Sequence, residues 1–181
     1  MRQLLLIFAL TSLLFGQTKS EMFQLFQNEK FEDACKLGST LFTANRANEE
    51  FLSLYGFSCL QADYIDRLAL PISILKSTTE SRANAAYFSV ILMQKKLLMH
   101  ALIDGYKIHS IELPTTSYIL SKVFNLYQKD TNPSKRKVYI YSDPTNSKIA
   151  YRLSISTNSS LKKMIIEEYY DKLLIKRHIY W

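Results

Sequence analysis

The spacing of apolar residues changes once along this chain, near Asn132-Pro133-Ser134, and that change limits the fold more than any other feature. Phe51, Leu54, Tyr55 and Cys59 fall at i, i+3, i+4 and i+8, which is one face of a helix. Further on, Tyr151, Leu153 and Ile155 alternate with Arg152, Ser154 and Ser156, the period of a half-buried strand. A chain patterned this way is α+β, with a layer of helices followed by an antiparallel sheet. Only four Gly and four Pro occur in 181 residues, too few for long disordered linkers.

Helical text runs from Met22 to about Tyr127. Its expected segments are Met22 to Gln27, Phe31 to Phe42, Glu49 to Ala62, Asp66 to Lys76 and Arg82 to Asp104. Pro71 should kink the fourth segment or shift its start. Ala83, Ala86, Tyr87, Val90, Leu97 and Ala101 give the longest helix a stripe, with Lys95 and Lys96 opposite and Gly105 as its C-terminal cap. Ile108 to Leu113 reads as an extended connector. A last helix starts at Pro114-Thr115-Thr116 and buries Ile119, Val123, Leu126 and Tyr127. Strands follow at Val138 to Tyr141, around Tyr151 to Ile155, at Met164 to Tyr170 and at Leu173 to Trp181. Turns are expected at Asp143 to Asn146, Thr157 to Ser160 and Asp171-Lys172. Lys162 to Arg177 also contains enough Glu, Lys and Leu to read as a terminal helix.

The first twenty residues have the order of a secretory signal: one basic residue at Arg2, an apolar run from Leu4 to Phe15, then small and polar residues through Ser20. The run is shorter than the roughly 20 apolar residues a spanning helix needs. Processing after Gly16 or after Ser20 both remain open. No second run of that length follows, so no transmembrane helix is expected once the signal is removed. The chain then divides into a signal (1–20), a helical body (21–130) and a C-terminal sheet module (131–181), located in the periplasm or secreted. In such an oxidising compartment the two cysteines, Cys35 and Cys59, suggest a disulfide, with a pair of buried thiols as the alternative.

Two helical stretches are related by an offset of 34 residues. Phe23 aligns with Phe57, Leu25 with Cys59, Phe26 with Leu60, Glu29 with Asp63, Phe31 with Ile65 and Leu41 with Leu75. Together with Phe31-Glu32-Asp33-Ala34, Leu54-Tyr55-Gly56 and Asp63-Tyr64, this spacing resembles the tetratricopeptide family, and small exported bacterial proteins built on such repeats. Leu68 stands where that family prefers Ala, and the stretch where a third copy would fall reads as one long helix. The resemblance implies stacked helix pairs whose concave side holds a segment of a partner protein.

Charge is concentrated at the C-terminal end. Residues 1–130 carry 13 Lys and Arg against 12 Asp and Glu, whereas residues 131–181 carry 10 against 4. Export makes nucleic acid a poor partner for this basic module and favours an acidic protein surface, an anionic glycan or a lipid headgroup. Tyr139, Tyr141, Arg152, Tyr169, Lys176, Arg177 and Trp181 are the candidate partner-binding residues, because aromatic and basic side chains coincide there. No hydrolase, zinc-protease, P-loop or dinucleotide motif occurs. His100, His109 and His178 have no metal-ligand spacing, and Glu49-Glu50 and Glu167-Glu168 read as solvated faces. No catalytic residue, metal or cofactor is nominated. The expectation is a non-enzymatic adaptor or scaffold of the cell envelope, with an anionic glycan or lipid binder as the alternative.

Overall fold

The computed structural model describes residues 18–130, 136–156 and 161–181. The expected signal lies outside the described residues through position 17, as do the expected breaks at 132–134 and 157–160. The described residues form α1 (Lys19–Gln27), α2 (Phe31–Asn45), α3 (Glu49–Gln61), a 3₁₀ turn (Ile65–Leu68), α4 (Ala69–Ile74), α5 (Thr79–Asp104) and α6 (Ile119–Lys129). Then come β1 (Val138–Ser142), β2 (Ile149–Ser156), β3 (Lys163–Tyr170) and β4 (Leu173–Tyr180). The fold is thus α+β, and Lys163–Tyr170 and Leu173–Tyr180 are strands, not a terminal helix.

Side-chain caps set three of the helix starts. Thr18 accepts from the Glu21 amide, Asn48 from Phe51 and Thr78 from Ser81, each satisfying an orphan first-turn N–H. Pro71 sits in the first turn of α4, where its missing N–H costs nothing, and the 3₁₀ turn absorbs the shift. Gly105 closes α5 at φ 75°, with its amide on the Ala101 carbonyl.

The 34-residue offset recurs in backbone geometry. Glu29 (φ 57°) ends α1 and Asp63 (φ 64°) ends α3, both left-handed. Around them the Glu29 and Lys30 amides bond to Phe26 and Leu25, and the Asp63 and Tyr64 amides bond to Leu60 and Cys59. These are the same two closing bonds moved by 34 positions. Helices approach closely at two glycines. A Cβ on Gly38 would stand 2.4 Å from Tyr55 Cδ2, and one on Gly56 would stand 2.4 Å from Phe88 Cε2. Cys35 and Cys59 are joined as a disulfide between α2 and α3.

Three helical expectations need correction. The buried face of α5 runs through Ser81, Phe88, Ile91, Gln94, Lys95, Leu98 and Ala101, while Ala83 and Ala86 are exposed. Lys95 is buried because Asp66 meets its ammonium at 2.8 Å and the Trp181 carbonyl accepts from it. The last helix begins at Ile119, not Pro114. Tyr118 stays extended (ψ 141°) so that its phenol reaches back to α3, and Ser121 Oγ takes the Thr116 amide at 2.8 Å. By length and composition alone α5 could also cross a membrane, a test that the core helix of a dissolved protein passes as well. Lys95-Lys96 divides its apolar text, which hid that property from a search for an unbroken run.

The sheet is an antiparallel meander in the order β1-β2-β3-β4. Asp171 (φ 47°) and Lys172 (φ 68°) form the two-residue β3–β4 turn, both with the positive φ that matches strand twist. Tyr139, Tyr151, Leu153, Met164, Ile166 and Tyr180 form its covered face, continuous with a helical core of Leu52, Tyr55, Phe88, Ile91, Val123 and Phe124.

Candidate functional site

Strand register places side chains on one face or the other, and it divides the expected partner-binding residues. On the uncovered face, Ile140, Arg152, Glu167 and Arg177 stand side by side across the four strands. Glu167 is 2% exposed, clamped by Arg152 Nη1 at 2.7 Å and Arg177 Nη2 at 2.6 Å, and Tyr169 donates its hydroxyl to it at 3.0 Å. Burial pushes the Glu167 carboxyl up, but the two guanidiniums prevail and hold it below the usual range. Arg152, Tyr169 and Arg177 are therefore engaged with one another through a carboxylate, not held free as a basic grip.

Tyr139, Tyr141 and Lys176 belong to the other face. Tyr139 is 4% exposed and packs edge-on against Tyr127 at 5.2 Å. Its ring therefore faces the helices and shows little of itself to solvent. Tyr141 is half-buried and donates to Asp130. Its row continues through Tyr151 and Glu168 to Lys176, which is exposed. Trp181, 47% exposed, leans edge-on against Tyr64 at 5.9 Å with the Lys163 ammonium over its ring.

Where β4 meets the helices, a buried polar cluster joins the two layers. His178 is 3% exposed, with Nδ1 2.8 Å from Asp63 Oδ1 and Nε2 2.8 Å from Glu168 Oε1. Both ring nitrogens face carboxylates, so both donate and the ring is the imidazolium. Burial works against that charge, but the bonds to Asp63 and Glu168 outweigh it and raise the His178 pKa. The same bond lowers that of Glu168, against burial. Tyr118 donates to Asp63 at 2.7 Å and lies 3.3 Å from the Tyr180 hydroxyl; burial pushes both phenols well up. The expectation that Glu167-Glu168 is a solvated face fails at both residues. Their divergence to opposite faces is as expected of strand neighbours. The fixed position of His178 against a residue 115 positions away carried no local signal in the sequence.

Two further surfaces are open. A cleft of about 780 Å³ lies between the N-terminal halves of α3 and α5, lined by Glu49, Glu50, Ser53, Phe57, Glu80 and Asn84. Glu49 is held at a pKa of about 2 by the Ser81 hydroxyl, then by the Lys76 and Ser77 amides. The free end of the β3–β4 hairpin exposes Leu173 (72%), Leu174 (47%) and Ile175 (60%) in succession. Among the described residues, no group of three or more His, Cys, Asp or Glu could hold a metal ion. Other polar side chains have structural partners: His100 pairs with Asp104, His109 meets the Gln128 carbonyl, and Ser58 donates to the Leu54 carbonyl.

In comparisons with known proteins, no family model, curated protein or solved structure matches the chain.

Proposed function

We propose that this chain is an exported, non-enzymatic interaction protein of the cell envelope, an adaptor or scaffold with a tetratricopeptide-like helical body. The observation that carries the reading is the open cleft between α3 and α5, whose walls alternate carboxylates with small polar groups and one aromatic ring at Phe57. An extended partner segment with basic side chains suits that lining. The disulfide is compatible with an oxidising compartment, and the N-terminal apolar run supplies the route to the periplasm. The non-enzymatic part rests on the polar side chains just described, whose hydrogen bonds are spent on holding the molecule together.

Photo-crosslinking in intact cells tests it. A photoreactive residue at Asn84, in the cleft, should capture a discrete envelope protein that the same residue at exposed Lys36 does not. Identical adducts from both positions, or none from Asn84, would refute the adaptor reading.

A further inference from the structure

The end of the β3–β4 hairpin is the part of the surface that the fold itself leaves unexplained. Leu173, Leu174 and Ile175 are consecutive, aliphatic and exposed, and Tyr170 beside them is 43% exposed. Three exposed apolar residues in a row are a liability for a dissolved protein unless something covers them. Three lysines surround them. Lys172 occupies the turn, Lys176 follows Ile175, and Lys148 of the adjacent β1–β2 loop lies over the Tyr170 ring at 5.8 Å. Two carboxylates share this end: Asp171 lies 3.5 Å from Lys148, and Asp143 of the β1–β2 loop accepts from the Thr145 and Asn146 amides and the Tyr151 hydroxyl.

We infer that this hairpin end docks on an anionic phospholipid surface, with Leu173, Leu174 and Ile175 entering the acyl boundary and the lysines meeting phosphate headgroups. The geometry distinguishes this occupant from the others. An added partner strand needs a regular edge, but the register shifts between Glu168 and Tyr169, which leaves Ile175 without an opposite residue on β3. A bulge and a lysine on an edge strand are devices that oppose strand addition. A second copy would bring the same lysines together. A glycan stacks on aromatic faces and gains little from aliphatic tips. A bilayer rewards the combination present here: exposed aliphatic side chains, lysines beside them, and a tyrosine at the boundary. The inference rests on export, as proposed above, and not on the cleft between α3 and α5.

The test is flotation of the full chain with vesicles of phosphatidylglycerol and phosphatidylcholine, read together with hydrogen exchange at residues 172–176. The N-terminal apolar run is common to every variant compared, so differences report the hairpin alone. Vesicles should protect the amides of 172–176. Replacing Leu173→Ser, Leu174→Ser and Ile175→Ser together should lower partitioning more than tenfold, given about fourfold per buried methylene. Lys172→Glu with Lys176→Glu should also lower it, by at least about fivefold per charge removed. Zwitterionic vesicles should bind the wild type less. These side chains are exposed, so both variants should keep the wild-type melting curve; Leu173→Ser alone is the milder control if one does not. Equal flotation of both variants and wild type, unchanged exchange at 172–176, or equal binding to zwitterionic vesicles would overturn the inference. Failure here leaves the crosslinking result at Asn84 unaffected, and the reverse also holds.

Discussion

The turns at Glu29 and Asp63 have the same backbone and opposite circumstances. Each ends a helix in a left-handed residue and closes with the same pair of amide bonds. Glu29 is exposed to solvent, whereas Asp63 receives His178 from β4 and Tyr118 from the segment before α6. Neither residue is glycine, the side chain that this backbone prefers. At Asp63 the reason is visible: the carboxylate is needed where it stands, so the backbone strain is retained. Among the described residues Glu29 has no such partner. One local geometry thus serves as a plain helix stop in the first helix pair and as the anchorage of the sheet in the second.

The most severe way to break this comparison is to uncouple the two helix pairs. Replacing both Cys35 and Cys59 by Ser removes a bridge of sequence separation 24. The chain-entropy account then predicts a loss of about 3.5 kcal/mol, read as a lower urea midpoint. A midpoint unchanged from wild type would show that packing at Gly38 and Gly56 suffices.

Glycine exchange sharpens it further, because the two turns should respond with opposite sign. Glu29→Gly relieves the left-handed strain and should stabilise by about 0.5–1 kcal/mol. Asp63→Gly relieves the same strain but leaves buried His178 and Tyr118 short of an acceptor, for a net loss of about 2–3 kcal/mol. Thermal melts of the two variants measure both; shifts in the same direction would contradict the distinction.

A smaller effect comes from protons. The folded-state pKa of His178 is raised above the ordinary 6.5, so its contribution is complete below that value and is lost as pH rises through the folded one. Glu168, lowered from 4.5, contributes above that value and loses its share as pH falls. Asp63 and Glu168 meet the ring nitrogens, Tyr180 stacks on the ring and Tyr118 shares Asp63, with Lys176 opposing the ring's charge and Lys122 close enough to favour that of Glu168. Urea midpoints should therefore fall as pH rises above the ordinary histidine value of 6.5 in wild type and change less there in His178→Gln. Parallel curves for the two proteins would exclude His178 as the source.

Periodicity and turn chemistry made much of this fold legible. The helix ends near Gln27 and Gly105, the Asp171-Lys172 turn and four strands all follow from local rules, and the even pair of cysteines, read with the N-terminal apolar run, suggests the bridge. The misplacements share one physical origin. Alternation says that Tyr139 and Ile140 face opposite ways, but not which face the helices cover. Lys95 is buried by Asp66, and His178 by Asp63, through contacts that charge type alone does not announce. The start of α6 was displaced because Tyr118 takes its conformation from α3 and not from its neighbours.

The bridge between α2 and α3 also bears on survival among proteases. It spans the short loop that links these helices, around Arg46 and Ala47. A peptide bond hydrolysed there leaves the two fragments covalently tied and the helix stack in register. Nicked molecules would run as one band until a reductant is added, so the loop can be cut without the protein being dismantled.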